Sequence, residues 1–509
     1  MARVCLCLTG KTLSRNLAAI EKYRRCIDVA ELRVDCLDPD ERFLIRDFPG
    51  QAGLPVILTI RRRIDGGYFD SGEGFRISLF SRGLAFAEVD RRRNFAYVDL
   101  EEDIDVPSLE EAARTFGTRI IRSCHNQNGI YDNMAEKIRG LARTGDEIAK
   151  LAVMPRDLGD VIKVYRAAKE TSGMEKIILC MGDFGTNTRI LAAHAGSFLS
   201  YTSDPELLPA APGQIDPETL VKHYRFRDIT ARTTIYGVVG FPLKTTFSPR
   251  IFNTVFGHEK IDAVYVPFPA QNLNDFLHLA AELRVAGAAV TIPYKEEIIP
   301  RLRNVSDTVR KMGACNTIKT DKTDHSPDWD GINTDALGFS ESLLRFTGKK
   351  NLRGMKITVV GAGGAARAAV SEIHRLGGRG LILNRNSVRA RELALEYRYK
   401  WGGLDSQALD TMERYSDIII QTTPVGTYPN IDDDPFELYH FKGHETVMDL
   451  IYNPEETAFL RRAKAAGCRI LNGLEMLIRQ AKYQYQYFFE RDFPDQLIPR
   501  LEEIIRRKA

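Results

Sequence analysis

Residues 148–154 read IAKLAVM, a run in which one lysine, Lys150, sits among apolar neighbours on both phases of a strand alternation. A strand that is apolar on both faces belongs in a parallel sheet covered by helices. The stretch ILCM at 178–181 has the same character. Working outward, further short apolar strands read at 4–9, 27–34, 56–60, 95–100, 118–123, 176–181 and 197–202. Amphipathic helical patterns such as 134–143 and 157–170 lie between them. Eight such units within residues 1–228 predict a (β/α)8 barrel, whose usual size is ~250 residues, with an open doubly wound sheet as the competing arrangement.

At 509 residues the chain is too long for one core. The polar stretch YRFRDITARTT at 224–234 places a boundary after residue 228. Beyond it, strands read at 235–240, 263–267, 288–292 and 313–320, followed by a polar insert with Pro327 and a helix near 335–346. A strand at 356–360 then runs directly into GAGGAARAAV, and further strands follow at 380–383, 417–422, 446–450 and 469–471. The pattern predicts a small α/β substrate domain at 229–335 and a Rossmann domain at 336–480. Closing helices at 475–489 and 497–507 are expected, with residues 481–509 packing back on the substrate domain.

Lys plus Arg number 71 against 68 Asp plus Glu, a balance that gives no reason to expect a nucleic-acid or acidic-membrane partner. No apolar run approaches the roughly 18–20 residues of a membrane span, and the N-terminal VCLCLT is too short for a secretory signal. Eight scattered cysteines without a CxxC predict reduced thiols in a cytoplasmic protein and no zinc site. His440 and His444 read as surface residues, so no metal is expected.

In a barrel the active site lies at the C-terminal ends of the strands. There the sequence places Glu31, Arg33 and Asp35 at alternate positions on one face, then Thr59, Arg61 and Asp65, then Asp99 and Glu101, and finally His125, Lys150 and Arg189. Lys150 reads either as an amine snorkelling from the rim or as a desolvated nucleophile of lowered pKa. His125 could move a proton beside it, and the arginines suit an anionic substrate.

Together ELRVD (31–35), TIRRRIDGG (59–67), SCHN (123–126), AKLAVMP (149–155), TRILAAHAGS (188–197) and APGQ (211–214) resemble type I 3-dehydroquinate dehydratase over residues 1–220. The resemblance implies a Schiff base at Lys150 and a general acid/base at His125, with Asp65 beside that histidine. It implies substrate contacts from Glu31, Arg33, Arg61, Arg189 and Gln214. Asp65 stands where that family usually has Glu, and Ala210 where it usually has Ser.

In the second half, Gly361, Gly363 and Gly364 follow a strand and open a helix, the setting in which a pyrophosphate rests on a helix N-terminus. The next strand ends in LILNRNSVRAR with no acidic residue; Asn384, Arg385 and Arg389 offer donors for a 2′-phosphate, favouring NADP, unless the arginines simply cap a solvated helix. Lys295, read at a helix start, and Asp335 form either a proton-shuttling pair or a surface salt bridge.

GFPLKTTFSP, TIPYKE, GACNT, NTDALGF, GAGGAARA, NRNSVRA, TTPVG, DLIYNP and NGLEMLIRQA are similar to shikimate dehydrogenase across residues 235–490. By that resemblance Lys295 and Asp335 are the catalytic dyad, and Thr246, Ser248, Thr291, Asn316, Tyr452 and Gln480 line the substrate pocket. Ala362, Ala365, Thr423 and Gly473 join the glycines and the Asn384–Arg389 group around NADP. Thr246 and Ala289 depart from the usual Ser and Asn. The whole chain thus resembles a bifunctional dehydratase and dehydrogenase acting on small anionic substrates. The alternatives are a broad quinate/shikimate dehydrogenase, and a regulatory protein built from degenerate copies of both domains.

Overall fold

The structure, a computed structural model, describes residues 2–85, 90–243, 246–320 and 328–506. Eight parallel strands come first: β1 Arg3–Leu8, β2 Val29–Arg33, β3 Val56–Thr59, β4 Tyr97–Glu101, β5 Arg119–Asn126, β6 Ile148–Val153, β7 Lys176–Cys180 and β8 Leu199–Ser203. Their order, β7-β6-β5-β4-β3-β2-β1-β8, curls the sheet round until a single parallel bridge, Lys176 to Ser197, joins its two ends. The sheet is therefore a nearly closed barrel, and the competing open sheet is set aside. Every residue of β6 is buried, as its two-sided apolar pattern requires. Helices cover the outside. Leu158–Glu170 starts where the Asp157 carboxylate accepts from the Asp160 N–H, and it turns Leu158, Val161, Ile162 and Tyr165 inward.

Six strands form the second sheet: β9 Thr234–Gly240, β10 Ala263–Pro269, β11 Gly287–Val290, β12 Leu302–Val305, β13 Thr317–Thr320 and β14 Trp329–Ile332. Their order is β10-β9-β11-β13-β14-β12, with β13 antiparallel to both neighbours. The predicted strand 313–320 is shorter, because Gly313 ends the helix Asp307–Met312 in a left-handed conformation. β12 and β14 escaped the sequence reading, being short and only partly buried. The polar insert around Pro327 lies outside the described residues.

The third sheet holds β15 Lys356–Val360, β16 Arg379–Leu383, β17 Lys400–Gly402, β18 Ile418–Gln421, β19 Thr446–Asp449 and β20 Arg469–Leu471. All its pairings are parallel, in the order β17-β16-β15-β18-β19-β20, so the switch point of a doubly wound sheet falls between β15 and β18. Gly361 turns the chain out of β15 at φ 117°, where a Cβ would collide with the Thr422 hydroxyl.

The helices Thr334–Thr347 and Leu474–Phe489 each run through an expected domain boundary, 335/336 and 480/481. The second also reaches the mixed sheet: Gln484 donates to Thr317 at 2.8 Å, and Lys319 donates to the Tyr487 carbonyl at 3.0 Å. The Cα packing divides the chain into two compact units, residues 1–245 with 256–285 and residues 246–255 with 286–509. Among the described residues no helix is long and apolar enough to cross a membrane.

Candidate active sites

The C-terminal mouth of the barrel opens into a cleft. Glu31, Arg33, Arg61, Asp65, His125, Lys150, Arg189 and Gln214, named from residues scattered over the first half, all line it. Cys7, Gln127, Met181 and Tyr201 line it too and were not singled out.

The charges inside are mostly spoken for. Arg61 donates to Asp99 at 2.9 Å, to Glu101 at 2.7 Å and to Ser123 at 3.1 Å. Arg33 forks onto Asp35 at 2.9 and 2.7 Å. Asp35 does not continue the strand face as expected, because a 3-10 turn, Val34–Cys36, begins there and folds the carboxylate back on the guanidinium. Lys150 also departs from the wholly apolar setting read from its strand. Its Nζ donates to Asp99 at 2.7 Å and Glu31 at 3.4 Å, and lies 4.3 Å from the centre of the Tyr201 ring. Burial alone would raise the Asp99 carboxyl, but the Arg61 and Lys150 charges hold it well below the usual carboxylate range.

Four lining residues keep a buried polar atom without a partner: Tyr201 at its hydroxyl, Gln214 at Oε1, and Arg189 and His125. Arg189 is 1% exposed, and its Nε and Nη1 have no hydrogen-bond partner; Nη2 alone donates, to the Pro212 carbonyl at 3.2 Å. Burial pulls its pKa down to about 10, the mark of a cation lacking a counter-ion. His125 has a buried Nδ1 without a partner. Burial, with the charges of Arg61 and Lys150, pushes its pKa well below the ordinary value, so the imidazole is neutral at pH 7. Asp65 does not support it: its carboxylate accepts from Arg62 Nε at 2.7 Å within its own 3-10 turn. The one-methylene-shorter side chain is held by an arginine three residues before it.

In the second half, Lys295 Nζ donates to Asp335 Oδ2 at 2.6 Å. Lys295 sits in a run of turns and not at a helix start, since Pro293 precedes it and no helix forms until the 3-10 turn at Ile299–Arg301. Asp335 lies in the first turn of Thr334–Thr347, whose N-cap is Asn333. Beside it Asn316 Oδ1 accepts from the Thr334 N–H at 2.7 Å, and the Thr334 hydroxyl lies 3.5 Å from Gln480 Oε1. Ser248 donates its N–H to Thr246 Oγ1 at 3.4 Å, and Phe247 meets the Tyr452 ring edge-on at 5.7 Å. Thr291 begins the turn that carries Lys295, its carbonyl accepting from the Tyr294 N–H at 2.9 Å.

At the switch point of the third sheet, Gly363 and Gly364 face open space, and the helix Gly364–Arg375 begins at Gly363 with no side-chain cap. Its free N–H groups suit a phosphate. Ala362 and Ala365 flank those glycines, and Thr423 bounds the same loop beyond β18, accepting from the Val425 N–H at 3.2 Å. Gly473 admits only glycine, since a Cβ would strike the Leu450 carbonyl. The Gly361 N–H donates to the Leu383 carbonyl at 2.7 Å, which puts the loop beside Asn384. Arg385 and Arg389 are exposed and make no ion pair among the described residues. The donor set fits a nucleotide carrying an extra phosphate. Among the described residues no group of His, Cys, Asp and Glu could hold a metal ion.

Residues 4–231 match the type I 3-dehydroquinase family, residues 238–318 the shikimate dehydrogenase substrate binding domain, and residues 344–437 the shikimate/quinate 5-dehydrogenase family. A curated relative named bifunctional 3-dehydroquinate dehydratase/shikimate dehydrogenase, chloroplastic, from Arabidopsis thaliana is 27% identical over 92% of this chain and 79% of its own. Shikimate dehydrogenase (NADP(+)) of Methanococcus vannielii is 36% identical over 51% of this chain and 92% of its own. The crystal structure of shikimate dehydrogenase from Aquifex aeolicus, 32% identical, covers 54% of this chain and 98% of its own at a TM-score of 0.49. The chain therefore belongs to the shikimate dehydrogenase family, and with the type I 3-dehydroquinase over residues 4–231 it is a member of the bifunctional dehydratase–dehydrogenases.

Proposed function

We propose that the barrel dehydrates 3-dehydroquinate to 3-dehydroshikimate and that the second half reduces 3-dehydroshikimate to shikimate with NADPH. The observation that carries the first step is the meeting of Lys150, His125 and the unpartnered Arg189 in one cleft. Lys150 Nζ, as the free amine, adds to the substrate ketone, and loss of the carbonyl oxygen as water leaves an imine. The imine draws electrons from the neighbouring C–H bond, and neutral His125 takes that proton. The resulting enamine expels the β-hydroxyl, which leaves as water with the proton from His125. Hydrolysis then frees the product and restores Lys150. Arg189 offers two buried N–H groups to the substrate carboxylate, an exchange that supplies the counter-ion it lacks. Arg33, Glu31 and Gln214 complete the polar wall, while Arg61 acts through the carboxylates it holds.

For the second step NADP(H) supplies or accepts a hydride. Its phosphates would rest on the Gly361–Ala365 turn and its 2′-phosphate on Asn384, Arg385 and Arg389, with Thr423 and Gly473 shaping the rest of the loop. Lys295 gives a proton to the developing alkoxide, and Asp335 fixes its position. Thr246, Ser248, Thr291, Asn316, Tyr452 and Gln480 surround the substrate. The division of labour is residues 1–228, residues 229–335 with 481–509, and residues 336–480, the helices Thr334–Thr347 and Leu474–Phe489 carrying the chain across the two later boundaries. The Thr246 methyl narrows the carboxylate end and favours shikimate over quinate. Eight free cysteines are in keeping with a reducing cytoplasm, although the Arabidopsis relative is named chloroplastic.

One coupled assay tests the whole reading. The purified chain with 3-dehydroquinate and NADPH should raise enone absorbance and then oxidise the cofactor. Enone without NADPH oxidation overturns the second step; no enone overturns the first.

A further inference from the structure

β1 contributes one side chain to the barrel cleft, Cys7, and its thiol lies between two residues on opposite sides of the chain. Cys7 Sγ donates to Glu31 Oε2 at 3.2 Å, and Gln214 Nε2 donates to Cys7 Sγ at 3.3 Å. The other oxygen of Glu31 accepts from Thr59 at 3.1 Å and from Lys150 at 3.4 Å. A continuous hydrogen-bonded chain therefore runs from Gln214, on the segment that follows β8, through Cys7 and Glu31 to the lysine amine.

We infer that Cys7 is a positioning residue of the dehydratase, which orients the Gln214 amide and the Glu31 carboxylate toward the substrate. With Nε2 engaged by sulfur, the Gln214 amide keeps Oε1 unpartnered and buried, free to accept from a substrate hydroxyl. A flipped amide would present a donor instead and leave the sulfur facing an oxygen. The thiol suits this double role because it is 1% exposed and its ionisation is suppressed, chiefly by burial and then by the Glu31 charge. It therefore keeps its proton for Glu31 and its lone pair for Gln214. A neutral thiol also adds no second charge beside the Glu31 carboxylate.

The inference rests on the barrel cleft being the dehydratase site, and its test is separable from the test of that reading. Cys7→Ala and Cys7→Val remove donor and acceptor, the valine while filling the volume. Each should lower dehydratase kcat/KM by about tenfold, and dehydrogenase turnover by the same chain should not change. Cys7→Ser, which keeps both hydrogen-bonding roles, should recover most of the loss. Combining Cys7→Val with Gln214→Ala should cost no more than the larger single change, because both break one chain. Additive losses, a serine variant as impaired as valine, or a valine variant within twofold of wild type would each overturn the inference. None of those outcomes touches the first reading, which fails only if Lys150→Ala remains an active dehydratase.

Discussion

Each half of the molecule holds a lysine ammonium against an aspartate at nearly the same distance, 2.7 Å for Lys150 with Asp99 and 2.6 Å for Lys295 with Asp335. Their surroundings differ. In the barrel the two side chains are 5% and 0% exposed; in the dehydrogenase they are 24% and 18% exposed. The barrel pair is also shared, since Glu31 approaches the same amine and Arg61 the same carboxylate. No such second partner surrounds the dyad among the described residues. A nucleophile that forms a covalent bond benefits from a cleft that excludes water and fixes every charge. A proton donor for hydride transfer has to stay reachable by a cofactor and a substrate at once. In the roles proposed for them, the two ion pairs do different work because burial and neighbours differ.

The comparison breaks first at the lysines. Lys150→Ala should lower dehydratase turnover about 10⁴-fold or more, the scale seen when a nucleophile is removed, and leave dehydrogenase turnover intact. Borohydride with substrate should add ligand mass to the peptide containing Lys150, and labelling that persists in the alanine variant would contradict the assignment. Lys295→Ala should reduce dehydrogenase kcat by about 10²–10⁴-fold, the usual contribution of a positioned acid or base. A change confined to KM would make Lys295 a binding residue only.

Stability sharpens the contrast next. Asp99→Asn strips a buried network of one carboxylate and should cost about 3–5 kcal/mol, whereas Asp335→Asn should stay within about 1 kcal/mol. The Asp99 carboxyl titrates in the fold well below the ~3.9 of an unfolded aspartate. Its stabilisation is therefore complete at neutral pH and fades as the pH falls below about 4. Melting temperatures of wild type and Asp99→Asn should converge in that acid range, and parallel curves would refute the linkage.

Arg385→Ala should weaken NADPH by roughly 10- to 150-fold and leave NADH little changed, the value of one charge-assisted guanidinium–phosphate contact. Equal losses for both cofactors would make it a loop-supporting residue. The smallest effect is expected at Thr246. Its methyl should favour shikimate over quinate by only ~10–200-fold in kcat/KM, and parity between the two acids would favour a broader dehydrogenase.

The glycine loop shows how far a local pattern reaches. Gly361, Gly363 and Gly364 follow from the neighbouring strand and helix, and the fold returns them where the motif requires. The dyad was legible as two residue types, but not that Lys295 sits in turns, because that depends on how the chain packs after Pro293.

By itself the sequence determined which stretches of the barrel are strands covered on both faces, and that Glu31, Arg33, Arg61, His125, Lys150 and Arg189 share one mouth. Alternation and turn residues are local properties, so a single strand such as IAKLAVM declares its own burial, though not the carboxylates its lysine meets. Only the tertiary structure decided who partners whom. Lys150 meets Glu31 across 119 positions and Cys7 meets Gln214 across 207, separations over which no spacing rule operates. It also decided that Asp65 answers Arg62 and leaves His125 alone, and that Arg61 is consumed by carboxylates while Arg189 keeps open donors. The physical reason is that hydrogen bonds form over about 3 Å, and only closing the barrel brings the eight strand ends that near.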